Sequence, residues 1–225
     1  MASRPRFDAI CFDCDSTLTR IEGIDELALR AGREAEIASL TEAAMSGALP
    51  LEAVYAKRLD LVKPDRAALV WLAERYIDET VCGAAETVAR LMRQGKAIYI
   101  VTGGLLQPVS EFARALGLAP VQVYAVEVHL DASGAYRGFD SSSPLCGSEG
   151  KAIICKRIAA RHGKVAMVGD GVTDLAARAG GASIVGYGGV IRREIVARQA
   201  DYYVASARLS ATLVALLSDE ELDWR

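Results

Sequence analysis

The chain lacks the features that mark several special classes of protein. No apolar run reaches the length of about 18 residues that a membrane-spanning helix requires, so no membrane partner is expected. A net charge of −3 leaves no excess of positive charge for nucleic acid, and no run rich in lysine and arginine suggests a membrane-surface site. Asp8 interrupts the first apolar run, which makes the segment unlike a signal peptide.

The cysteines do not form the pattern of a disulfide framework. There are five, at irregular spacing: Cys11, Cys14, Cys82, Cys146 and Cys155. The first two are spaced like a CxxC metal motif, but no second pair of ligands lies nearby. We therefore expect reduced cysteines and a cytoplasmic location.

The chain is rich in hydrophobic residues, and they recur at regular intervals along it. Hydrophobic residues make up 52% of the 225 residues and charged residues 24%, which predicts a packed globular protein. This length suits one sizeable domain with an insertion, or two small domains.

Short apolar runs alternate with helical patterns along most of the chain. Strands are predicted at 7–12, 97–101, 164–168, 182–185 and 201–204. Helices are predicted at 84–94, 105–116, 149–162, 173–179, 191–199 and 210–218. The alternation predicts an α/β fold with a doubly wound, Rossmann-like, mostly parallel sheet.

Residues 21–80 break this rhythm because they contain helical patterns and no convincing strand. We expect an all-helical cap at 21–80, inserted into a catalytic core formed by residues 1–20 and 81–225. Residues 124–130 and 135–139 flank Ala132-Ser133-Gly134 and are predicted to form a hairpin.

Polar residues follow three of the predicted strands. They are Asp13, Thr102 and Asp170. Each alone is typical of a turn or a helix N-cap. Because ligands bind at the carboxyl ends of strands in such sheets, the three together predict a functional site.

The individual carboxylates are predicted to have different chemical roles. Asp13 and Asp15 can hold a divalent cation through oxygen ligands and leave one carboxylate free to attack phosphorus. We assign Asp13 as the nucleophile and Asp15 as the general acid and base. Asp170 is the expected second metal ligand. Asp174, one turn on, binds the metal through water or orients the other ligands, or is simply a first-turn helix acid.

Lys151 and the segment Thr102-Gly103-Gly104 are suited to a phosphate group. Lys151 lies near the start of a predicted helix, where a cation is mildly unfavourable, so either it neutralises phosphate and Asp13 or it is an exposed lysine. The threonine hydroxyl and the glycine amides can bind phosphate closely, although an ordinary turn is the alternative.

The predicted cap contributes two charged candidates. Arg58 shares a helical face with apolar neighbours, so it either clamps a substrate carboxylate or forms an internal salt bridge, or else its charged end extends to solvent. Glu22 either binds a substrate ammonium or is a first-turn helix acid.

The order of these motifs resembles the haloacid-dehalogenase-type (HAD) phosphohydrolases. The segments EGIDELA from Glu22, Ala44-Met45, Lys57-Arg58-Leu59, AYRGFD from Ala135 and GYGG from Gly186 resemble its phosphoserine phosphatase family in particular. The resemblance implies Mg²⁺-dependent hydrolysis of O-phospho-L-serine to L-serine and phosphate through an aspartyl-phosphate, as the last step of serine biosynthesis.

The resemblance also implies roles for individual residues. The main-chain carbonyl of Asp15 holds the metal, and Glu22 and Arg58 bind the amino-acid end of the substrate. Met45 lines the pocket, with Thr173 and Arg192 near the ligand.

This chain departs from the family pattern at two kinds of position. Thr102 replaces a serine and keeps its hydroxyl, whereas Leu105 and Leu51 replace aromatic residues. Two alternatives therefore stay open: a related enzyme that hydrolyses or transfers the phosphoryl group of another small phosphomonoester, and a non-catalytic binding protein. The oligomeric state is also open, with a homodimer among the possibilities.

Overall fold

The computed structural model describes residues 6–45 and 51–222, and the side chains of residues 41–45 and 51 are not described. The side chains of Met45, predicted to line the pocket, and of Leu51 are therefore not described. The strands, in chain order, are β1 (Ala9–Phe12), β2 (Ala97–Leu105), β3 (Val123–Val126), β4 (Val128–Leu130), β5 (Tyr136–Phe139), β6 (Val165–Gly169), β7 (Ala182–Tyr187) and β8 (Tyr202–Val204).

The helices follow the same chain order. They are α1 (Gly23–Ala31), α2 (Glu34–Met45), α3 (Leu51–Val62), α4 (Arg66–Asp78), α5 (Ala84–Arg93), α6 (Leu106–Ala115), α7 (Gly150–His162), α8 (Val172–Ala176), α9 (Glu194–Gln199), α10 (Leu213–Leu216) and α11 (Asp219–Leu222). Among the described residues, every helix is too short or too polar to span a membrane.

Six strands form one parallel sheet in the order β3-β2-β1-β6-β7-β8. Side chains alternate between its faces, so Ile10 and Phe12 of β1 join one apolar cluster while Ala9 and Cys11 join a second. Helices α5 and α6 pack in the first cluster and α7 in the second. The predicted doubly wound α/β fold is confirmed.

Four helices, α1 to α4, lie between β1 and α5, and we call them the cap helices. The segments that lead into and out of them run side by side, because Thr19 and Thr80 form an antiparallel bridge. Gly32 ends α1 in the left-handed conformation, and the Asp65 side chain caps α4 by accepting from the Ala68 amide at 2.7 Å.

The structure corrects the predicted hairpin. Its first arm is two strands: β3 extends the main sheet, and only β4 pairs antiparallel with β5. Residue Glu127 separates them, and a single apolar pattern over 124–130 could not reveal that its halves pair with different sheets. The five cysteines are free thiols, as expected.

Among the element boundaries that differ from the predictions, two affect the site. Strand β2 continues through Thr102 to Leu105, with an irregular register where it passes β3. Helix α9 begins at Glu194 instead of residue 191, so the preceding segment is a loop. Both differences fall next to predicted site residues.

Candidate active site

The carboxyl ends of β1, β2 and β6 meet at one edge of the sheet. Because β1 lies between the other two strands, Asp13, Thr102 and Asp170 come together as the sequence predicted. The Asp13 amide donates to the Val168 carbonyl at 2.9 Å, and the Cys14 amide donates to Asp13 Oδ1 at 2.8 Å. The Asp13 carboxylate is thereby fixed at the sheet edge.

Lys151 is a buried cation between two carboxylates. Its Nζ lies 2.6 Å from Asp13 Oδ2 and 2.6 Å from Asp174 Oδ1. Burial alone would lower the pKa of Lys151, but the charges of Asp13 and Asp174 outweigh it and raise the pKa. The ammonium therefore stays charged beside Asp13, and the alternative of an exposed surface lysine is excluded.

Asp13, Asp170 and Asp174 form an acidic cluster whose carboxylate oxygens lie within 4.8 Å of one another. Burial, together with the charge of Asp13, raises the pKa of Asp170 to about 6 and that of Asp174 to about 7, although Arg193 and Lys151 act in the opposite direction. Crowded, partly desolvated carboxylates of this kind fit a hard divalent cation, which prefers oxygen ligands and would neutralise their charge.

Within this cluster Asp174 already has a partner for each oxygen. Oδ1 binds Lys151, and Oδ2 accepts from the Gly171 amide at 2.8 Å. Asp174 thus orients Lys151 and the α8 turn, and its side chain is fully buried, whereas the Asp13 side chain is 12% exposed. Thr17 supports Asp170 with a long hydroxyl contact of 3.4 Å.

The side chain of Asp15 turns away from this cluster toward the cap helices. Its Oδ2 accepts from the Gly23 amide at 3.1 Å, and its buried Oδ1 has no hydrogen-bond partner among the described residues. Burial, followed by the charges of Glu22 and Asp13, raises the pKa of Asp15 well above its usual value. A carboxyl that keeps its proton in such a cavity suits a general acid.

Tyr76 of α4 packs beside Asp15 and Gly23, and the sequence pattern did not indicate it as a site residue. The side chain is fully buried, and burial followed by the charge of Asp15 raises the pKa of its hydroxyl. A Cβ at position 23 would lie 2.0 Å from Tyr76 Oη, so only glycine fits there. A tyrosine in an apolar helix gave no signal, because its polar neighbours are far away in sequence.

The segment Thr102-Gly103-Gly104 forms the end of β2. Thr102 is buried, and its Oγ1 accepts from the Gly104 amide at 3.0 Å. A Cβ on Gly103 would lie 3.3 Å from the Leu145 carbonyl, which leaves little room for any side chain. The segment therefore presents main-chain groups to the cavity at close range.

The cap side of the site carries charges of both signs. Glu22 Oε1 accepts a hydrogen bond from the Ser16 hydroxyl at 2.6 Å, and burial raises the pKa of the Glu22 carboxyl. Burial lowers the pKa of Arg58, whereas Asp25 and Glu22 act in the opposite direction. The two candidate groups for binding a zwitterion thus face one pocket.

Arg193, instead of the predicted Arg192, brings a guanidinium to the site. Its Nε donates to Asp170 Oδ2 at 3.0 Å, and its Nη2 lies 4.0 Å from Glu22 Oε1. Arg192 is exposed. The loop before α9 is longer than expected, and Arg193 at its end contacts Asp170.

These groups surround a cavity of about 300 Å³ between the sheet edge and the cap helices. The predicted site residues that line it are Asp13, Asp15, Glu22, Arg58, Thr102, Gly103, Gly104, Lys151 and Thr173. Tyr55, Tyr76 and Leu105 are among the other residues that line it. The volume is at the lower end for ligand pockets, which favours a small molecule.

The profile of the haloacid dehalogenase-like hydrolases matches residues 7–181 of the chain. Phosphoserine phosphatase of Bos taurus is 34% identical over 199 residues, covering 88% of each protein. The chain belongs to the haloacid dehalogenase-like hydrolases, in the phosphoserine phosphatase family. The resemblance suggested by the motifs is thereby confirmed, and with it the assignment of this hydrolase as an enzyme.

Other members of the family agree with this placement. The chloroplastic phosphoserine phosphatase of Arabidopsis thaliana is 38% identical over 207 residues, covering 88% of this chain and 68% of that protein. A solved structure of a phospho-aspartyl intermediate analogue of phosphoserine phosphatase superposes with a TM-score of 0.75. It is 27% identical and covers 93% of this chain and 99% of that chain.

Proposed function

We propose that this hydrolase converts O-phospho-L-serine and water to L-serine and phosphate. The observation that carries the proposal is one small cavity that joins the Asp13–Lys151 pair to Glu22 and Arg58. A carboxylate and a guanidinium on the cap side complement the ammonium and carboxylate of an amino acid. The phosphoserine phosphatases among its relatives support the same substrate.

In the first step, Asp13 attacks phosphorus and the bond from phosphorus to the serine oxygen breaks. Asp15, protonated because of its raised pKa, donates a proton to that oxygen, so serine leaves and an aspartyl-phosphate remains. Lys151 holds positive charge beside Asp13 while the phosphate approaches.

In the second step, Asp15 acts as the base. It accepts a proton from a water molecule that attacks phosphorus, which releases phosphate and restores Asp13. Thr102, Gly103 and Gly104 bind the phosphoryl oxygens in both steps, and Thr173 lines the same cavity.

We propose Mg²⁺ as the cofactor, held by Asp13 and Asp170 with Asp174 and the Asp15 carbonyl assisting. When bound, it supplies charge neutralisation for the carboxylates and the phosphoryl oxygens. We further propose that residues 21–80 act as a cap that closes over the substrate, and that the enzyme is cytoplasmic and serves serine biosynthesis.

The test is phosphate release from phosphoserine beside a panel of other small phosphomonoesters, with Mg²⁺ and with a chelator. We expect metal-dependent turnover with phosphoserine strongly preferred. A different ester ranking far above phosphoserine would overturn the substrate assignment. Asp13→Asn keeps the side-chain size and removes the nucleophile, so turnover should fall by at least about 10³-fold.

A further inference from the structure

Tyr55 connects the cap helices directly to the end of β2. It lies on α3, and its hydroxyl donates a hydrogen bond to the Gly103 carbonyl at 2.9 Å. Its ring packs against Phe139 with ring centroids 5.4 Å apart, and burial raises the pKa of the hydroxyl, which keeps it a donor. The contact joins positions that are far apart in the sequence.

The carbonyl of Gly103 and the amide of Gly104 belong to the same peptide group. The amide donates to Thr102 Oγ1 at 3.0 Å, while the carbonyl accepts from Tyr55. Because a peptide group is planar, bonds at both its ends fix the direction of the whole plane.

This peptide group needs such support more than most. Residues on both sides of it are glycines, which have the widest choice of backbone angles, so the plane rotates easily when nothing holds it. Glycine also suits the packing here, since a Cβ at Gly103 would lie only 3.3 Å from the Leu145 carbonyl. The hydrogen bond from Tyr55, which lies outside this segment, restricts the rotation of the peptide plane.

We propose that Tyr55 is a positioning residue that holds the Gly103–Gly104 peptide plane in the orientation that binds phosphate. The inference rests on the proposed function only in taking this segment as the phosphate site. Tyr55 acts through the main chain, and its hydroxyl bond forms only when α3 is seated over the sheet edge.

The test compares Tyr55→Phe with the wild-type enzyme loaded with Mg²⁺. Phenylalanine keeps the ring against Phe139 and removes the hydroxyl alone. Loss of one hydrogen bond should weaken inhibition by inorganic phosphate and raise KM for phosphoserine by about 3- to 10-fold each. The value of kcat should stay within about 2-fold, because the segment binds the phosphoryl group before and during the reaction.

Tyr99→Phe is the matched control. Tyr99 lies on the same strand, and its hydroxyl bonds His162 at 2.7 Å, remote from the residues that line the cavity. This variant should keep wild-type phosphate inhibition and KM. Equal values for Tyr55→Phe and the wild type, or equal losses in both variants, would overturn the proposal.

Amide hydrogen exchange separates this inference from the proposed function. In Tyr55→Phe, the amides of Gly103 and Gly104 should exchange about 3- to 10-fold faster than in the wild type, with inorganic phosphate as the only added ligand. This measurement needs no turnover, so a failure to hydrolyse phosphoserine leaves it valid. Unchanged exchange at these amides would overturn the positioning role by itself.

Discussion

The two halves of the site differ in how completely the protein supplies their partners. On the sheet side, Lys151 is 6% exposed and bonded to two carboxylates that have further partners of their own. On the cap side, Glu22 is 36% exposed, and its main partner is a single hydroxyl. The charged groups on the sheet side are therefore already paired with one another, whereas Glu22 on the cap side can gain a partner from a bound substrate.

From this difference we expect rate and selectivity to depend on different parts of the chain. Buried charge networks lose much when one member is removed, because the remaining charges stay desolvated. Charges that are partly exposed are screened by solvent, so removing one of them should cost less. Substitutions in the two halves should consequently change different kinetic constants.

The largest effect is expected on the sheet side. Lys151→Met keeps the length of the side chain but leaves Asp13 and Asp174 without their shared cation, so kcat should fall on the order of 10²- to 10³-fold. Steady-state phosphate release measures it. Lys156→Met, at an exposed position on the same helix, should retain wild-type kcat, and a similar loss there would show that the effect is not specific.

On the cap side, Arg58→Lys should act on substrate affinity. Lysine keeps the charge and loses the two-pronged hydrogen bonding, so KM for phosphoserine should rise by about 10- to 100-fold with a much smaller change in kcat. Phosphoethanolamine, which lacks the carboxylate, should show no such change. A rise of KM for both substrates would contradict the assignment, and Lys57→Arg on the exposed face of α3 is the control.

The junction between the halves is tested at Gly23. Its amide holds Asp15 Oδ2, and a Cβ would meet Tyr76 Oη at 2.0 Å, so Gly23→Ala should reduce kcat about 10-fold and stability by about 1–3 kcal/mol. Adding Tyr76→Phe removes the clashing oxygen and should restore part of both losses. A double variant no better than Gly23→Ala would show that Tyr76 is not the obstacle.

A further prediction, on stability instead of rate, concerns the cation and pH. In metal-free protein, raised pKa values near 6 and 7 for Asp170 and Asp174 mean that the folded state binds protons more tightly than the unfolded chain. Its stability should fall as pH rises from about 4 to about 7. Mg²⁺ competes with these protons, so stabilisation by Mg²⁺ should increase over the same range.

Thermal unfolding with Mg²⁺ or a chelator at about pH 5 and about pH 8 checks this. The increment should reach about 2.7 kcal/mol at a Mg²⁺ concentration about 100 times Kd, and mainly at the higher pH. Asp170→Asn should lose most of it. Equal increments at both pH values would contradict a cation site at these carboxylates.

The sequence was sufficient for the parts of the site that follow from strand ends. Apolar runs marked β1 and β6, and parallel strands bring Asp13 and Asp170 to one edge regardless of the loops. Lys151 was a candidate because a cation near a helix start is mildly unfavourable, but an exposed lysine stayed open until the family resemblance favoured a role in the site. The mildly unfavourable position is explained by two buried ion pairs.

Other features depended on contacts that no local pattern records. Helix α9 starts three positions later than predicted, and Arg193 instead of Arg192 contacts Asp170. Tyr55 and Tyr76 matched the apolar pattern of their helices, and only the folded chain shows what lies next to each hydroxyl. The pattern at 124–130 was continuous, although its two halves belong to different sheets.

The bridge between Thr19 and Thr80 has a consequence for how such enzymes diversify. The chain leaves the sheet and returns to it at adjacent positions. The stretch between Thr19 and Thr80 is therefore one contiguous insertion whose two ends lie side by side. We expect exchange of this stretch between relatives to change substrate choice. The hydrolytic centre would survive the exchange only if the new stretch kept an amide for Asp15, as Gly23 supplies, and a hydrogen bond to the Gly103 carbonyl, as Tyr55 supplies.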